Sequence, residues 1–225
     1  MKAQFQVDTF QTSEGPLLIH FIGHGTLMME FNNQVIHIDP FREANYDKLP
    51  KANLVLITHH HGDHLDKNAL NKVVTDHTKI ICTELCYSDI ASWNPMVMKN
   101  GDETKAIGLK IKAVPAYNIK NKRPDGSPFH GPGEGNGYIV SFGNVNVYIA
   151  GDTENTPEMK ALQRIDIAFL PMNLPYTMTP EMVTDAAKSF KPKVLYPYHY
   201  GQTDTNKLLE LMKDQKDTEV RIRKM

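Results

Sequence analysis

The sequence predicts a mixed α/β sandwich. Short apolar strand runs come in clusters, and helical stripes stand singly between them instead of following every strand. That spacing disfavours an alternating, doubly wound sheet. At 225 residues the chain is read as one domain, 1–225, long enough to bury a sizeable core without disulfide staples.

The elements follow in order. Residues 17–21 and 26–31 are apolar strands, interrupted by Gly23 and Gly25. Asn32-Asn33 predicts a hairpin turn, because asparagine tolerates positive φ. A strand over 35–38 stops at Asp39-Pro40, and the run 54–57 reads as a buried strand. Asp66 caps a helix whose apolar positions are Leu70, Val73 and Val74. A short strand over 79–82, a helix over 84–92 and an alternating strand over 107–114 come next. Residues 118–137 hold three prolines and five glycines without periodicity, a loop of the length that is usually functional or disordered. Strands resume over 145–150, 165–170 and 194–198. Between the last two, Thr179 caps a helix, Pro180 opens it, Val183, Ala186, Ala187 and Phe190 form its apolar stripe, and Pro192 ends it. A final amphipathic helix covers about 206–213 through Leu208, Leu209 and Met212.

Composition excludes several function classes. Lysine and arginine number 25 against 26 acidic residues, so the net charge of −1 argues against a polyanion-coating role. No apolar run is long enough to span a bilayer, and the start, Met-Lys-Ala-Gln-Phe-Gln-Val-Asp, lacks a signal peptide's apolar core. Cys82 and Cys86 stand four apart, neither a redox nor a zinc-knuckle spacing, and read as packing thiols. A cytoplasmic protein with no membrane partner is expected.

The chemistry concentrates in Thr58-His59-His60-His61-Gly62-Asp63-His64, directly after a buried strand. Imidazole nitrogens and a carboxylate from one loop suit a borderline divalent cation such as zinc. Asp152 and His199 each follow an apolar strand at the corresponding point. Alone they would read as a turn residue and a core histidine. Beside the cluster they read as converging ligands, since sites gather at one end of the strands of a sheet.

His59-x-His61-x-Asp63-His64, Gly151-Asp152-Thr153 and His199-Tyr200 together resemble the metallo-β-lactamase superfamily. Three further segments resemble its branch around ascorbate-6-phosphate lactonase and N-acyl phosphatidylethanolamine phospholipase D. They are Ile22-Gly23-His24-Gly25-Thr26, Ile38-Asp39-Pro40-Phe41 and Val114-Pro115-Ala116-Tyr117. The resemblance implies a four-layered αβ/βα sandwich with metals on one edge, between the sheets. It implies one metal on His59, His61 and a third ligand from mid-chain, a second on Asp63, His64 and His199, and Asp152 bridging them. Zinc, one or two ions, is expected, with manganese or iron compatible. Asp63 counts as catalytic, and a metal-bound hydroxide would attack a small polar or anionic substrate (a lactone, phosphodiester or amide).

Relatives place a histidine shortly after the Pro-Ala pair, where this chain has Asn118. Three readings stay open: Asn118 coordinates weakly, His130 enters from the long loop, or the first site is loosely held. His130 is favoured, because Pro128-Phe129-His130-Gly131 is a constrained stretch. By resemblance Asp39 orients the histidine loop, while His24 and Tyr200 support the metals or touch substrate. Lys120, Lys122 and Arg123 read as solvated charges near the mouth. His20, His37, His60 and His77 read as structural. A nucleic-acid-processing phosphodiesterase is disfavoured by the charge and by the lack of space for an extra arm. A non-catalytic metal-binding or sensor protein is the remaining rival. Substrate, metal identity and oligomeric state are not fixed by the sequence.

Overall fold

The structure is a computed structural model that describes residues 5–42 and 45–225; residues 1–4, the start of the stretch in which no leader is read, lie outside it. Among the described residues fourteen strands form two seven-stranded sheets. In the first sheet, β1 (Gln6–Thr12), β2 (Gly15–Gly23), β3 (Thr26–Phe31) and β4 (Gln34–Ile38) form an antiparallel meander. Strands β5 (Leu54–Leu56), β6 (Lys79–Cys82) and β7 (Met96–Val97) then add in parallel. Helices α1 (Lys67–Val73) and α2 (Glu84–Ile90) make the crossovers.

The second sheet repeats this plan. β8 (Glu103–Ala106), β9 (Leu109–Ala116), β10 (Gly135–Phe142) and β11 (Val145–Ile149) are antiparallel. β12 (Ile167–Pro171), β13 (Val194–Tyr198) and β14 (Glu219–Val220) follow in parallel. Helices α3 (Pro157–Lys160), α4 (Pro180–Phe190) and α5 (Thr205–Met212) lie on the connections.

Strand periodicity builds the layers. Leu54 and Leu56 of β5 face the second sheet, as do Ile19 of β2 and Met29 of β3, and from the other side Ile149, Phe169 and Tyr196 meet them. The alternate residues Val55 and Ile57 pack under Leu70, Val73 and Ile90. Tyr148, Ala168 and Leu195 pack under Val183, Ala187 and Leu208. The outcome is the αβ/βα sandwich, with helices outside and two sheets face to face.

Local chemistry sets the boundaries. Asn32 and Asn33 both take positive φ, making the turn between β3 and β4. The Asp66 side chain accepts the backbone N–H groups of Asn68 and Ala69 to open α1, and Thr179 accepts that of Met182 to open α4. Four expectations need correction. The strand expected over 165–170 runs over Ile167–Pro171, after the turn at Arg164 (φ 57°). The strand expected from Ile107 begins at Leu109, because Ile107 and Gly108 (φ 47° and 86°) turn the chain back from β8. The helix expected to 92 ends at Ile90 and tightens into a 3-10 turn over Ala91–Trp93. The loop expected to 137 ends at Gly135, where β10 pairs with Ala116. No helix among the described residues is long and apolar enough to cross a membrane.

Candidate metal centre

The chemistry-bearing residues stand just beyond the ends of parallel or central strands. Asp39 follows β4, the 58–64 loop follows β5, Asp152 follows β11 and His199 follows β13. Asn118 and His130 sit at the two ends of the excursion between β9 and β10, and His24 turns β2 into β3. The sandwich therefore delivers residues from both sheets to one edge.

Asp39 anchors the histidine loop from below. Its Oδ1 accepts the Thr58 backbone N–H (2.7 Å), and its Oδ2 accepts the Thr58 hydroxyl (2.7 Å). The same Oδ2 lies 2.8 Å from His64 Nδ1. A carboxylate only accepts, so His64 carries a proton on Nδ1 and turns Nε2 away from Asp39. Thr58 spends its own proton on Asp39, which leaves its oxygen to accept from His59 Nδ1 at 3.0 Å. His59 Nε2 is thereby freed as well.

Two clusters form above this support, with Asp152 between them. In the first, donor atoms of His59, His61 and His130 lie within 4.8 Å of one another. His130 Nε2 is 3.1 Å from His61 Nδ1 and 3.4 Å from Asp152 Oδ2. In the second, His24, Asp63, His64 and His199 meet the same criterion. His199 Nδ1 is 3.0 Å from Asp152 Oδ1, and its Nε2 is 2.6 Å from His24 Nε2 and 3.3 Å from Asp63 Oδ2. His24 Nε2 reaches Asp63 Oδ2 at 3.0 Å, and the His24 carbonyl accepts the His199 N–H at 3.1 Å.

Burial decides the charges. Burial and the facing His64 hold His59 well below its ordinary range, and burial takes His130 down to about 4 against the pull of Asp152. Both rings are neutral and carry a lone pair. Burial opposes a charge on His64, yet Asp152 and Asp39 outweigh it and hold that imidazole well above its ordinary value. Burial likewise opposes the Asp152 carboxylate, but His199 and His64 hold it well below the usual range. Without an ion, the centre thus sets the neutral rings of His59 and His130 beside a His64 imidazole whose positive charge the carboxylates Asp39 and Asp152 demand. A cation between the rings would supply that charge instead.

A divalent ion fits this set. His59 Nε2, His64 Nε2, His199 Nδ1 and Asp152 Oδ1 are buried and lack a hydrogen bond, although each belongs to the cluster. Unpaired buried polar atoms are costly, and here they converge. Nitrogen and carboxylate oxygen donors are the ligand types of zinc and of other first-row divalent ions.

Other expected residues are placed differently. The Asn118 oxygen is occupied by His130, accepting its backbone N–H (2.8 Å) and its Nδ1–H (2.7 Å). Asn118 is thus placed as a support of His130. Tyr200 donates its hydroxyl to the Arg223 carbonyl (2.8 Å), which spends it on the C-terminal tail instead of a substrate. Lys120, Lys122 and Arg123 are exposed, and Arg123 stacks over the Phe129 ring. The sequence missed Thr58 and Glu154, both fully buried. Thr58 had a signal in its place next to His59; Glu154 had none, because a glutamate after Asp-Thr looks like any surface residue.

Comparison with known proteins agrees with the geometry. Residues 18–199 match the β-lactamase superfamily domain model. A UPF0173 metal-dependent hydrolase of Methanopyrus kandleri is 32% identical over 197 residues, covering 81% of this chain and 84% of the relative. The crystal structure of a candidate metal-dependent hydrolase from Parabacteroides distasonis superposes with a TM-score of 0.93 at 48% identity, covering 98% of this chain and 99% of that one. A metallo hydrolase from Ignicoccus hospitalis gives 0.74 at 25% identity, covering 92% and 95%. With two sheets, a shared ligand edge and this match, the chain belongs to the metallo-β-lactamase superfamily and is one of its metal-dependent hydrolases.

Proposed function

We propose that the chain hydrolyses a small polar or anionic substrate, a lactone, phosphodiester or amide, at a centre of two divalent ions, zinc foremost. The observation that carries this reading is the convergence of buried, unpaired donor atoms on both sides of Asp152. His59, His61 and His130 would hold one ion, Asp63, His64 and His199 the other, and Asp152 would bridge. Bound there, divalent ions polarise a carbonyl or phosphoryl oxygen and make water acidic near neutral pH.

The chain's own residues supply orientation and proton handling. Asp39 and Thr58 fix the tautomers of His64 and His59, so both present Nε2. The Asp63 side chain is 37% exposed and that of His24 24%, against 4% for Asp152, so substrate approaches over Asp63 and His24. Their contact, Nε2 to Oδ2, can hold the proton released during hydrolysis. The lactone and phosphodiester classes rest on the resemblance of the 22–26, 38–41 and 114–117 segments to one branch of the superfamily.

Elemental analysis, then a screen of lactones, phosphodiesters and amides with zinc, manganese or iron restored, tests the reading. Hydrolysis of one class is expected, lost on chelation and on Asp63→Ala or His64→Ala with the fold retained. Turnover that survives verified metal removal would sink it.

A further inference from the structure

Glu154 is fully buried two residues beyond Asp152. Its carboxylate has no lysine or arginine partner among the described residues. Instead Oε2 accepts the backbone N–H groups of Ile119 (2.9 Å) and Lys120 (2.7 Å), and Oε1 accepts that of Asn121 (2.6 Å). Three consecutive peptide dipoles thus compensate the charge. The fourth donor is Asn118 Nδ2, 3.3 Å from Oε1.

That fourth contact has a consequence at the metal centre. Because a carboxylate only accepts, the amide of Asn118 must face Glu154 with its NH2 end. The Tyr176 carbonyl, 2.9 Å from the same Nδ2, acts in the same sense. The Asn118 oxygen is then turned to His130, where it takes both the backbone N–H and Nδ1–H. His130 is left with a lone pair on Nε2, the atom that lies beside His61 and Asp152. Reversing the amide would set NH2 against two N–H donors and oxygen against a carboxylate. A neutral imidazole has one donor and one acceptor, so fixing the first fixes the second.

We propose that Glu154 is a positioning residue of the hydrolase: acting through Asn118, it sets the tautomer and orientation of His130. This rests on the reading of His130 as a ligand. Glu154 acts at a distance from the ions, and together with the Tyr176 carbonyl it keeps the Asn118 amide turned so that His130 presents Nε2.

Two readouts test it: Zn2+ titration against a chromophoric chelator, which separates the two affinities, and imidazole 15N spectra of the metal-free protein. In Glu154→Gln the amide end meets N–H donors, so His130 is expected to leave the Nδ1–H tautomer. First-site affinity is expected to fall about 10- to 100-fold, with the second site unchanged. Adding Asn118→Asp moves the charge one step along the relay, giving His130 an acceptor that needs no orienting. It is expected to restore both tautomer and affinity, a rescue that a purely structural role of Glu154 would not produce. If Glu154→Gln fails to fold, Asn118→Ala, which keeps the three backbone contacts of Glu154, carries the same expectation. The proposal is overturned if these variants keep the parent tautomer and first-site affinity while His130→Ala loses that affinity, or if Asn118→Asp does not rescue. If His130→Ala binds both ions as the parent does while Glu154→Gln still shifts the tautomer, the ligand reading falls instead.

Discussion

Asp39 and His64 meet at 2.8 Å with both side chains wholly shielded from solvent, and the same carboxylate holds Thr58 by its N–H and its hydroxyl. One buried anion therefore positions His64 directly and His59 through Thr58. Asp39→Asn replaces an acceptor by an NH2 group facing a donor. Weaker binding at both metal positions is expected, by about 10- to 100-fold, the scale for losing a ligand's outer support. Asn118→Ala is expected to weaken only the His130 side. Chelator-competition titration of both variants reads the contrast; equal effects at one site would contradict the shared-support geometry.

The two ends of the described chain are tied by the half-buried carboxylate of Asp8. Asp8 on β1 accepts from Arg223 Nε (2.9 Å) and Nη2 (2.7 Å), from Arg221 and from the Tyr196 hydroxyl on β13. Burial alone would raise its pKa, but Tyr196, Arg223 and Arg221 together hold it below the usual carboxylate range. Asp8→Asn is expected to cost about 1 to 3 kcal/mol at neutral pH, the value of losing charge-assisted hydrogen bonds. A depressed folded pKa means the stabilisation is present above the ordinary value and is lost as pH falls through the folded one. Denaturant melts at pH 7 and pH 3 are expected to show the gap between variant and parent shrinking in acid.

The ligand edge was legible in the sequence because histidine and aspartate cluster directly after apolar runs, a pattern that packing does not require. Strand bounds at 26–31, 79–82 and 194–198 were legible because predominantly apolar runs stop at the polar residues Asn32, Thr83 and His199. Ile107 was not, because an isoleucine at φ 47° breaks the preference on which the strand reading rests. Strands β1 and β8 are largely polar at their sheet edges, so no apolar run announces them. Asn118 and Glu154 were illegible for a different reason. Their meaning comes from a contact across 36 residues that exists only once β9 and β11 lie in one sheet.

His37 gives the fold a pH dependence independent of metal. It is fully buried on β4 with Nε2 3.0 Å from the Pro50 carbonyl. Burial takes its pKa down to about 4, aided by His20 and opposed by the Pro50 carbonyl. The folded protein thus resists protonation where the unfolded chain, near 6.5, accepts it. Stability falls as pH drops from about 6.5 towards 4, by up to about 3 kcal/mol from this residue. His37→Gln cannot titrate and keeps a donor for Pro50. Measured in the same chelated state, its stability advantage over the parent is expected to grow through that window; parallel pH curves would refute the assignment.

Gly151 and Gly133 separate backbone strain from close approach. Both have positive φ, 65° and 84°, in the region that L side chains rarely adopt. At Gly133 a Cβ meets nothing within 4 Å. At Gly151 it stands 3.0 Å from the Asn136 carbonyl oxygen and 3.0 Å from Thr58 Cβ, and the residue's N–H is already held by the Tyr198 hydroxyl at 2.9 Å. Gly133→Ala is expected to cost about 1 kcal/mol of stability from conformation alone. Gly151→Ala adds contacts with backbone and with the residue that supports His59, neither of which yields without moving the strand ends. A further loss of about 1 to 3 kcal/mol is expected, together with weaker metal binding, since Asp152 is the next residue. Thermal melts and metal titration of the two variants measure this. Equal costs would mean that the site tolerates a methyl group between its two sheets.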